Sequence, residues 1–97
     1  MKKVVKFGGS SLADAEQFAK VGNIIRADED RCFVVPSAPG KRGAGDTKVT
    51  DLLYQCDDLA AAGKSCEKTL REIRGRYEEI ISGLSLPLTL DREFQKI

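Results

Sequence analysis

Two short apolar runs near the start of the chain have the character of strands. The first is interrupted by Lys6 and stops at two glycines, and we predict a strand over residues 2–7 that is buried on both faces apart from its last turn. The second runs from Cys32 to Val35 and contains β-branched and aromatic residues, which favour a second buried strand. Because proline has no N–H to donate, we expect the pairing of this strand to end at Pro36.

Between these runs the apolar residues recur at intervals of three and four. This spacing predicts a helix from Asp14, a suitable N-cap, to about Asp28. Its apolar face consists of Phe18, Val21, Gly22 and Ile25, extended by Ala15 and Ala19.

A strand, a helix and a strand in this order predict a βαβ unit, whose two strands are almost always parallel. Both strands then end at the same edge of the sheet. We therefore expect the first loop, residues 8–13, to face the second loop, residues 36–48. Between such loops, α/β proteins form the crevices that bind ligands.

The rest of the chain predicts helices. One begins at about Val49 and stops at Gly63, a suitable residue for a helix end; its apolar positions are Val49, Leu52, Leu53, Cys56, Leu59 and Ala60. The next begins near Ser65 and ends at the break over residues 82–88; its stripe is Leu70, Ile73, Tyr77, Ile80 and Ile81. Residues 89–97 start one more helix. Two parallel strands do not form a sheet that stands alone, so we expect the front part of a longer α/β protein.

Composition narrows the classes of function. Sixteen Lys and Arg residues against fifteen Asp and Glu give a net charge of +1, which provides no overall field for binding nucleic acid or an anionic membrane. No apolar run approaches the roughly 18 residues of a membrane span. Three widely spaced cysteines and no histidine argue against a disulfide framework and a zinc site, and favour reduced thiols in the cytoplasm. Without histidine, the groups that could take part in catalysis are lysine, hydroxyls, carboxylates and backbone amides.

The candidates for chemistry begin with Lys6 and the residues after it. A lysine in a buried strand is costly unless its ammonium reaches water or an anion, so Lys6 either extends to the solvent at the sheet edge or contacts a phosphoryl group. Gly8 and Gly9 either form a tight turn or allow an anion to approach bare backbone amides, with Ser10 and Ser11 as further donors. The pattern matches neither of the common glycine-rich phosphate motifs, GxGxxG and GxxxxGK[ST].

Polar residues of the second loop and of the helix after it are further candidates. Taken singly, Ser37 and Thr50 are typical of turn and cap residues rather than ligands, and Asp46 is also a possible cap. Beside the predicted anion site lies a group of basic residues that is either functional or simply solvated: Lys41, Arg42 and Lys48.

Two stretches together resemble the aspartokinases (aspartate kinases) of the amino acid kinase superfamily. They are VVKFGGSSLAD, and VVPSAPGKR followed by DTKVTDLLY, and they cover about half of the chain. The run Lys-Phe-Gly-Gly-Ser-Ser is the more specific of the two, because relatives acting on acetylglutamate, glutamate, carbamate or UMP differ in this loop. The resemblance implies a three-layer α/β/α sandwich with a mainly parallel sheet. Residues 1–97 would be the N-terminal portion of the catalytic domain, without its remainder and without the C-terminal regulatory ACT domains.

The resemblance also implies a function. It is the ATP-dependent phosphorylation of the β-carboxylate of L-aspartate to 4-phospho-L-aspartate, the first step towards lysine, threonine and methionine, by a cytoplasmic homodimer that uses Mg²⁺. The implied roles are bridging of the transferring phosphoryl oxygens for Lys6, phosphate binding for Gly8, Gly9 and Ser10, and aspartate binding for Ser37 and Thr50. No residue is implied as a metal ligand.

Two other functions stay open: another carboxylate kinase of the same superfamily, or a non-catalytic α/β module that binds a phosphorylated ligand. Whether the protein is an aspartokinase or another carboxylate kinase, we expect the 97 residues alone to lack appreciable kinase activity, because they would hold only part of the site.

Overall fold

The computed structural model of the protein describes residues 1–96 and has the predicted α/β organisation. Strands β1 (Lys3–Phe7) and β2 (Arg31–Pro36) pair in parallel. Between them lie a 3₁₀ helix (Gly9–Leu12) and helix α1 (Ala15–Arg26), and after them come α2 (Val49–Ala61), α3 (Glu67–Gly83) and α4 (Asp91–Gln95). The predicted last helix is therefore present as α4, and Ile97 lies outside the described residues.

The strand pairing ends at Pro36, as predicted, but not for the predicted reason. Phe7 pairs with Pro36, and the Ser37 amide donates a 3.0 Å hydrogen bond to the carbonyl oxygen of Phe7. In a parallel ladder only alternate residues bond to the same neighbour, so the backbone nitrogen of Pro36 faces away from β1. The missing N–H of the proline consequently costs this pair of strands no hydrogen bond, and it is not what ends the pairing.

The sheet is covered on one face only, within the part of the chain that is described. Val5 and Phe7 of β1 pack with Leu12 and Val21 in a small core beneath α1. On the other face Val4 is 70% exposed and its partner Phe33 is 57% exposed. The predictions of a first strand buried on both faces and of a second buried strand were therefore wrong for these residues. The second face is open because α2 and α3 pack against each other rather than against this face of the sheet.

Helix α1 begins as the sequence indicates. The Asp14 carboxylate oxygen Oδ1 accepts a 3.0 Å hydrogen bond from the Gln17 amide, which makes Asp14 the N-cap. Val21 is buried, and Phe18 and Ile25 pack beside it. Ala19 is exposed, so the predicted apolar face is narrower than expected on that side.

Helices α2 and α3 form a second core of Val49, Leu52, Cys56 and Ile73. Gly63 has a φ of 71°, and the following Lys64 amide donates a 2.8 Å bond to the carbonyl of Leu59, which ends α2 as predicted. Leu53 and Ala60, predicted on the apolar face, are exposed. Helix α4 docks through Phe94, whose ring lies 6.3 Å from that of Tyr77.

Candidate functional site

The two loops that leave the strands meet at one edge of the sheet. The Gly40 amide of the second loop donates a 2.7 Å hydrogen bond to the carbonyl oxygen of Gly9 in the first loop. The Ser37 amide, as described above, bonds to Phe7 at the end of β1, so the second loop contacts both the end of this strand and the first loop. The expected juxtaposition of the glycine–serine run and residues 37–40 is thus confirmed as geometry.

The first loop presents backbone amides at its start. The Gly9–Leu12 3₁₀ helix is anchored by Leu12, which is only 2% exposed, and its first turn is closed by a 3.1 Å bond from the Ser11 amide to the Gly8 carbonyl. The amides of Gly9 and Ser10 open the helix and have no acceptor inside it. Ser10 is exposed and Ser11 is half-buried, so the hydroxyl of Ser10 is the more accessible donor.

Lys6 lies on the open face of the sheet. Side chains alternate along a strand, and because Val5 and Phe7 face α1, Lys6 points to the opposite side. It is exposed, so the predicted cost of burying its ammonium does not arise. Among residues 1–96 no carboxylate forms an ion pair with it. Lys6 precedes Gly8 by two residues, about 7 Å along a strand, a span that an extended lysine side chain covers.

Ser37, in the second loop, and Thr50, just after this loop, are both exposed. Ser37 directly follows β2. Thr50 lies in the first turn of α2, and the Val49 amide just before it donates a 2.9 Å bond to the carbonyl oxygen of Pro39. The start of α2 is therefore fixed to the second loop, two residues beyond Ser37. The structure thus gathers the residues of both predicted ligand groups around the contact between the two loops.

An ion-pair network in the second loop went unrecognised in the sequence. The Arg42 guanidinium donates to both carboxylate oxygens of Asp46, at 2.8 and 3.0 Å, and to Glu79 of α3 at 2.9 Å. The Arg42 amide also donates to Asp46. Asp46 is therefore an ion-pair partner and not a helix cap. Arg42 is engaged by carboxylates, so the predicted basic cluster retains only Lys41 and Lys48, which form no ion pair within residues 1–96.

This network shifts the pKa values of its members. The hydrogen bonds donated by Arg42 are the main cause that holds the pKa of the Asp46 carboxyl well below its usual range, and the nearby Arg76 adds to the effect. The same bonds raise the pKa of the Arg42 guanidinium. Both groups are consequently charged wherever the protein is folded at neutral pH.

Beneath the two loops lies Arg76, the second feature absent from the predictions. Its side chain is 4% exposed and donates to backbone carbonyls of both loops. The sequence does contain a signal for it. Arg76 stands three residues after Ile73 and four before Ile80, so it occupies a position of the buried stripe of α3 where only apolar residues were expected.

The groups present favour binding and charge neutralisation over acid–base chemistry. An exposed ammonium, bare amides and hydroxyls border one edge of the sheet. The described residues bring no three His, Cys, Asp or Glu side chains together as a metal site. None of the helices within residues 1–96 combines the length and apolar composition needed to cross a membrane.

Comparison with known proteins adds an independent line of evidence. The model of the amino acid kinase family matches residues 1–82. Aspartokinase 3 of Bacillus subtilis (strain 168) is 49% identical over 84 residues, which are 87% of this chain and 18% of that protein. The aspartokinase of Chlamydia pneumoniae is 40% identical over 88 residues, 90% of this chain and again 18% of the relative.

A solved structure gives the same picture in three dimensions. The crystal structure of Clostridium acetobutylicum aspartate kinase matches 99% of this chain with a TM-score of 0.92 and 45% identity, and the match covers 22% of that protein. The chain thus spans about a fifth of the length of these relatives.

Proposed function

The chain belongs to the amino acid kinase family, and on that premise we propose that it forms the N-terminal portion of the catalytic domain of an aspartokinase. In this proposal the remainder of the domain and the regulatory ACT domains lie outside residues 1–97. The activity is transfer of the γ-phosphoryl group of ATP to the β-carboxylate of L-aspartate. The single observation that carries the proposal is the contact between Gly9 and Gly40, because it brings the two aspartokinase-like stretches to one edge of the sheet.

The nucleotide side of the site is the first loop with Lys6. We assign Gly8, Gly9 and Ser10 to the phosphates of MgATP through backbone amides and the Ser10 hydroxyl. Lys6 supplies a point charge to the oxygens of the transferring phosphoryl group, where charge is spread over several oxygens in the transition state. We infer that Mg²⁺ takes part together with the nucleotide, as the resemblance to the aspartokinases implies.

Gly8 provides the most specific support for these assignments. Its φ of −75° suits any residue, and an added Cβ would meet no atom within 4 Å. Nothing in residues 1–96 therefore requires glycine there. A phosphate that comes within hydrogen-bonding distance of the backbone supplies a reason for the missing side chain.

The acceptor side of the site is the second loop and the start of α2. We assign the hydroxyls of Ser37 and Thr50 to L-aspartate, because both are exposed beside the loop that Gly40 joins to the first loop. Catalysis then consists of holding the carboxylate in line with the phosphoryl group and neutralising the developing charge.

The proposal also extends to the setting of the enzyme. The exposed apolar residues Val4 and Phe33 on the second face of the sheet support further elements packing there in the complete domain. Three unbridged cysteines support a cytoplasmic location. We infer a homodimer from the family, and a place at the start of lysine, threonine and methionine synthesis.

The test is a substrate comparison on the full-length enzyme that carries this chain. We expect ATP-dependent formation of an acyl phosphate, trapped as a hydroxamate, with the highest kcat/KM for aspartate among aspartate, glutamate, acetylglutamate and carbamate. A preference for one of the other acceptors would replace the proposal by another carboxylate kinase. ATP binding without turnover of any acceptor would favour a non-catalytic module. Residues 1–97 alone should show no appreciable turnover.

A further inference from the structure

A single buried cation connects the two loops of the site. Nη1 of Arg76 donates to the Thr47 carbonyl at 2.9 Å, and Nη2 donates to the carbonyls of Ala13, at 3.2 Å, and of Gly40. Ala13 ends the first loop, whereas Gly40 and Thr47 belong to the second. Arg76 itself comes from α3, 63 residues after Ala13 and 36 after Gly40.

Placing a charged side chain at this buried position of α3 has a high desolvation cost. The Arg76 side chain is 4% exposed, and the carboxylate nearest to its guanidinium is that of Asp46, with 3.5 Å between Nη1 and Oδ2. The Nε atom has no hydrogen-bond partner among the described residues. An apolar side chain of similar volume commonly serves stability at least as well as a buried charge, and the neighbouring positions Ile73 and Ile80 of the stripe are apolar. Stability alone therefore gives a weak reason for arginine here.

The geometry of the side chain supplies another reason. Arginine presents several N–H donors in one rigid plane, so its hydrogen bonds to separate segments fix those segments relative to each other. Asp46 is held in turn by Arg42, which also binds Glu79 of α3. The second loop is thus attached to α3 twice, by Arg76 from below and by Glu79 at its exposed side, whereas the first loop is attached to α3 through the Arg76 side chain at Ala13.

We propose that Arg76 is a positioning residue that sets the separation and alignment of the two loops, and hence of the phosphoryl donor and the carboxylate acceptor. The inference rests on the proposed function, since it assigns the donor to the first loop and the acceptor to the second. Each loop keeps its own ligand contacts when Arg76 is replaced. The loss therefore falls on the reaction between the two bound substrates, for which a misplacement of about 1 Å costs on the order of 10²-fold.

The experiment uses the full-length enzyme with three variants: Arg76→Met, Arg76→Lys and, as a control, Ile73→Ala. Ile73 is 2% exposed on the same helix and lies in the α2–α3 core, so its truncation destabilises α3 but leaves the hydrogen bonds from α3 to both loops in place. For each protein we would measure the melting temperature, the Kd of ATP and of aspartate separately, and kcat well below the melting temperature.

We expect Arg76→Met to lower kcat on the order of 10²-fold while each separate Kd changes less than about threefold. Arg76→Lys keeps the charge and part of the donors, and should recover part of kcat. Ile73→Ala should have a lower melting temperature with little loss of kcat.

A kcat near that of the wild type in Arg76→Met, or an equal loss of kcat in Ile73→Ala, would overturn the proposal. If Arg76→Met does not fold, the same comparison is made with Arg76→Lys, for which an unchanged kcat overturns it. A wild-type enzyme that does not phosphorylate aspartate would instead defeat the proposed function.

Discussion

Gly9 and Gly40 lie in direct backbone contact, with no room for a side chain between them. A Cβ atom added to Gly40 would lie 2.5 Å from the carbonyl carbon of Gly9 and 2.8 Å from the amide nitrogen of Ser10. Backbone atoms cannot rotate aside as a flexible side chain does, so any larger residue at position 40 must separate the first loop from the second.

We predict that Gly40→Ala destabilises the full-length enzyme by about 1–3 kcal/mol, the usual cost of overpacking a tight contact. It should also lower kcat, because the loops move apart. Gly45→Ala is the matched control, since a Cβ there would meet no atom within 4 Å. Urea unfolding and steady-state kinetics of both variants check this. Equal unfolding midpoints for the two variants would mean that the loops are not in contact.

Gly8→Ala, in contrast, should weaken the binding of ATP and leave the stability of the protein nearly unchanged. The position has an ordinary φ of −75° and open space around it, so stability should stay within about 0.5 kcal/mol of the wild type. If phosphates approach the backbone here, the added methyl group should raise the Kd of ATP and leave that of aspartate unchanged. Calorimetric titration with each ligand measures both constants. An unchanged affinity for ATP would remove Gly8 from the nucleotide site.

The sequence was a good guide wherever a local signal decides the structure. Asp14 as an N-cap and two apolar runs around one helix were enough to predict the βαβ unit and the meeting of its loops, and Gly63 correctly predicted the end of α2. Residue type alone misled at Arg76, because an arginine in an apolar stripe is normally assigned to solvent. The spacing from Ile73 to Ile80 nevertheless marked its position as buried.

Long-range contacts explain the remaining differences. Whether the second face of a strand is covered depends on elements far away in sequence, and the apolar character of Val4 and Phe33 predicts burial without saying what supplies it. The bond from Arg42 to Glu79, 37 residues away, likewise follows from how α3 lies against the second loop, whereas the pair of Arg42 with Asp46 spans only four residues. The assignment of ligands to Lys6, Ser37 and Thr50 remains a prediction, and the next two experiments address it.

Lys6→Ala should lower kcat by roughly 10²–10⁴-fold, the scale expected on losing a transition-state charge contact. Because the Lys6 side chain is exposed and unpaired within residues 1–96, the melting temperature should hardly change. Lys2→Ala is a suitable control, as it removes an exposed lysine just outside the start of β1. Stopped-assay kinetics and a thermal melt of each variant are sufficient. A stability loss with a nearly unchanged kcat would make Lys6 a structural residue.

Ser37→Ala and Thr50→Ala should act mainly on the KM for aspartate, with smaller effects on kcat and on the KM for ATP. Both hydroxyls are exposed and make no hydrogen bond within residues 1–96, so their loss removes ligand contacts rather than protein contacts. A rise in KM at constant kcat is the signature of an interaction made equally with substrate and transition state. Conversely, a rise confined to the KM for ATP would place these residues on the nucleotide side.

Acid should weaken the fold through Asp46. The folded-state pKa of its carboxyl is lowered, chiefly by hydrogen bonds from Arg42, whereas an unfolded aspartate has a pKa of about 3.9. Above about pH 5 the carboxylate is ionised in both states and its stabilisation is complete. As the pH falls through the unfolded value the unfolded chain gains a proton first, so the stabilisation is lost progressively towards the folded value.

We therefore expect Asp46→Asn to lower the free energy of unfolding at pH 7 by about 1–3 kcal/mol, the usual contribution of hydrogen bonds to charged groups. Arg76 contributes to this loss, because its buried guanidinium then lacks its nearest carboxylate. The variant should also show a shallower fall in stability between about pH 5 and pH 2 than the wild type. Asp57→Asn, at an exposed position of α2 without an ion pair among the described residues, serves as the control and should keep the wild-type slope. Urea midpoints measured across this pH range decide the matter: coincident curves for wild type and Asp46→Asn would show that the ion pair with Arg42 contributes nothing to folding.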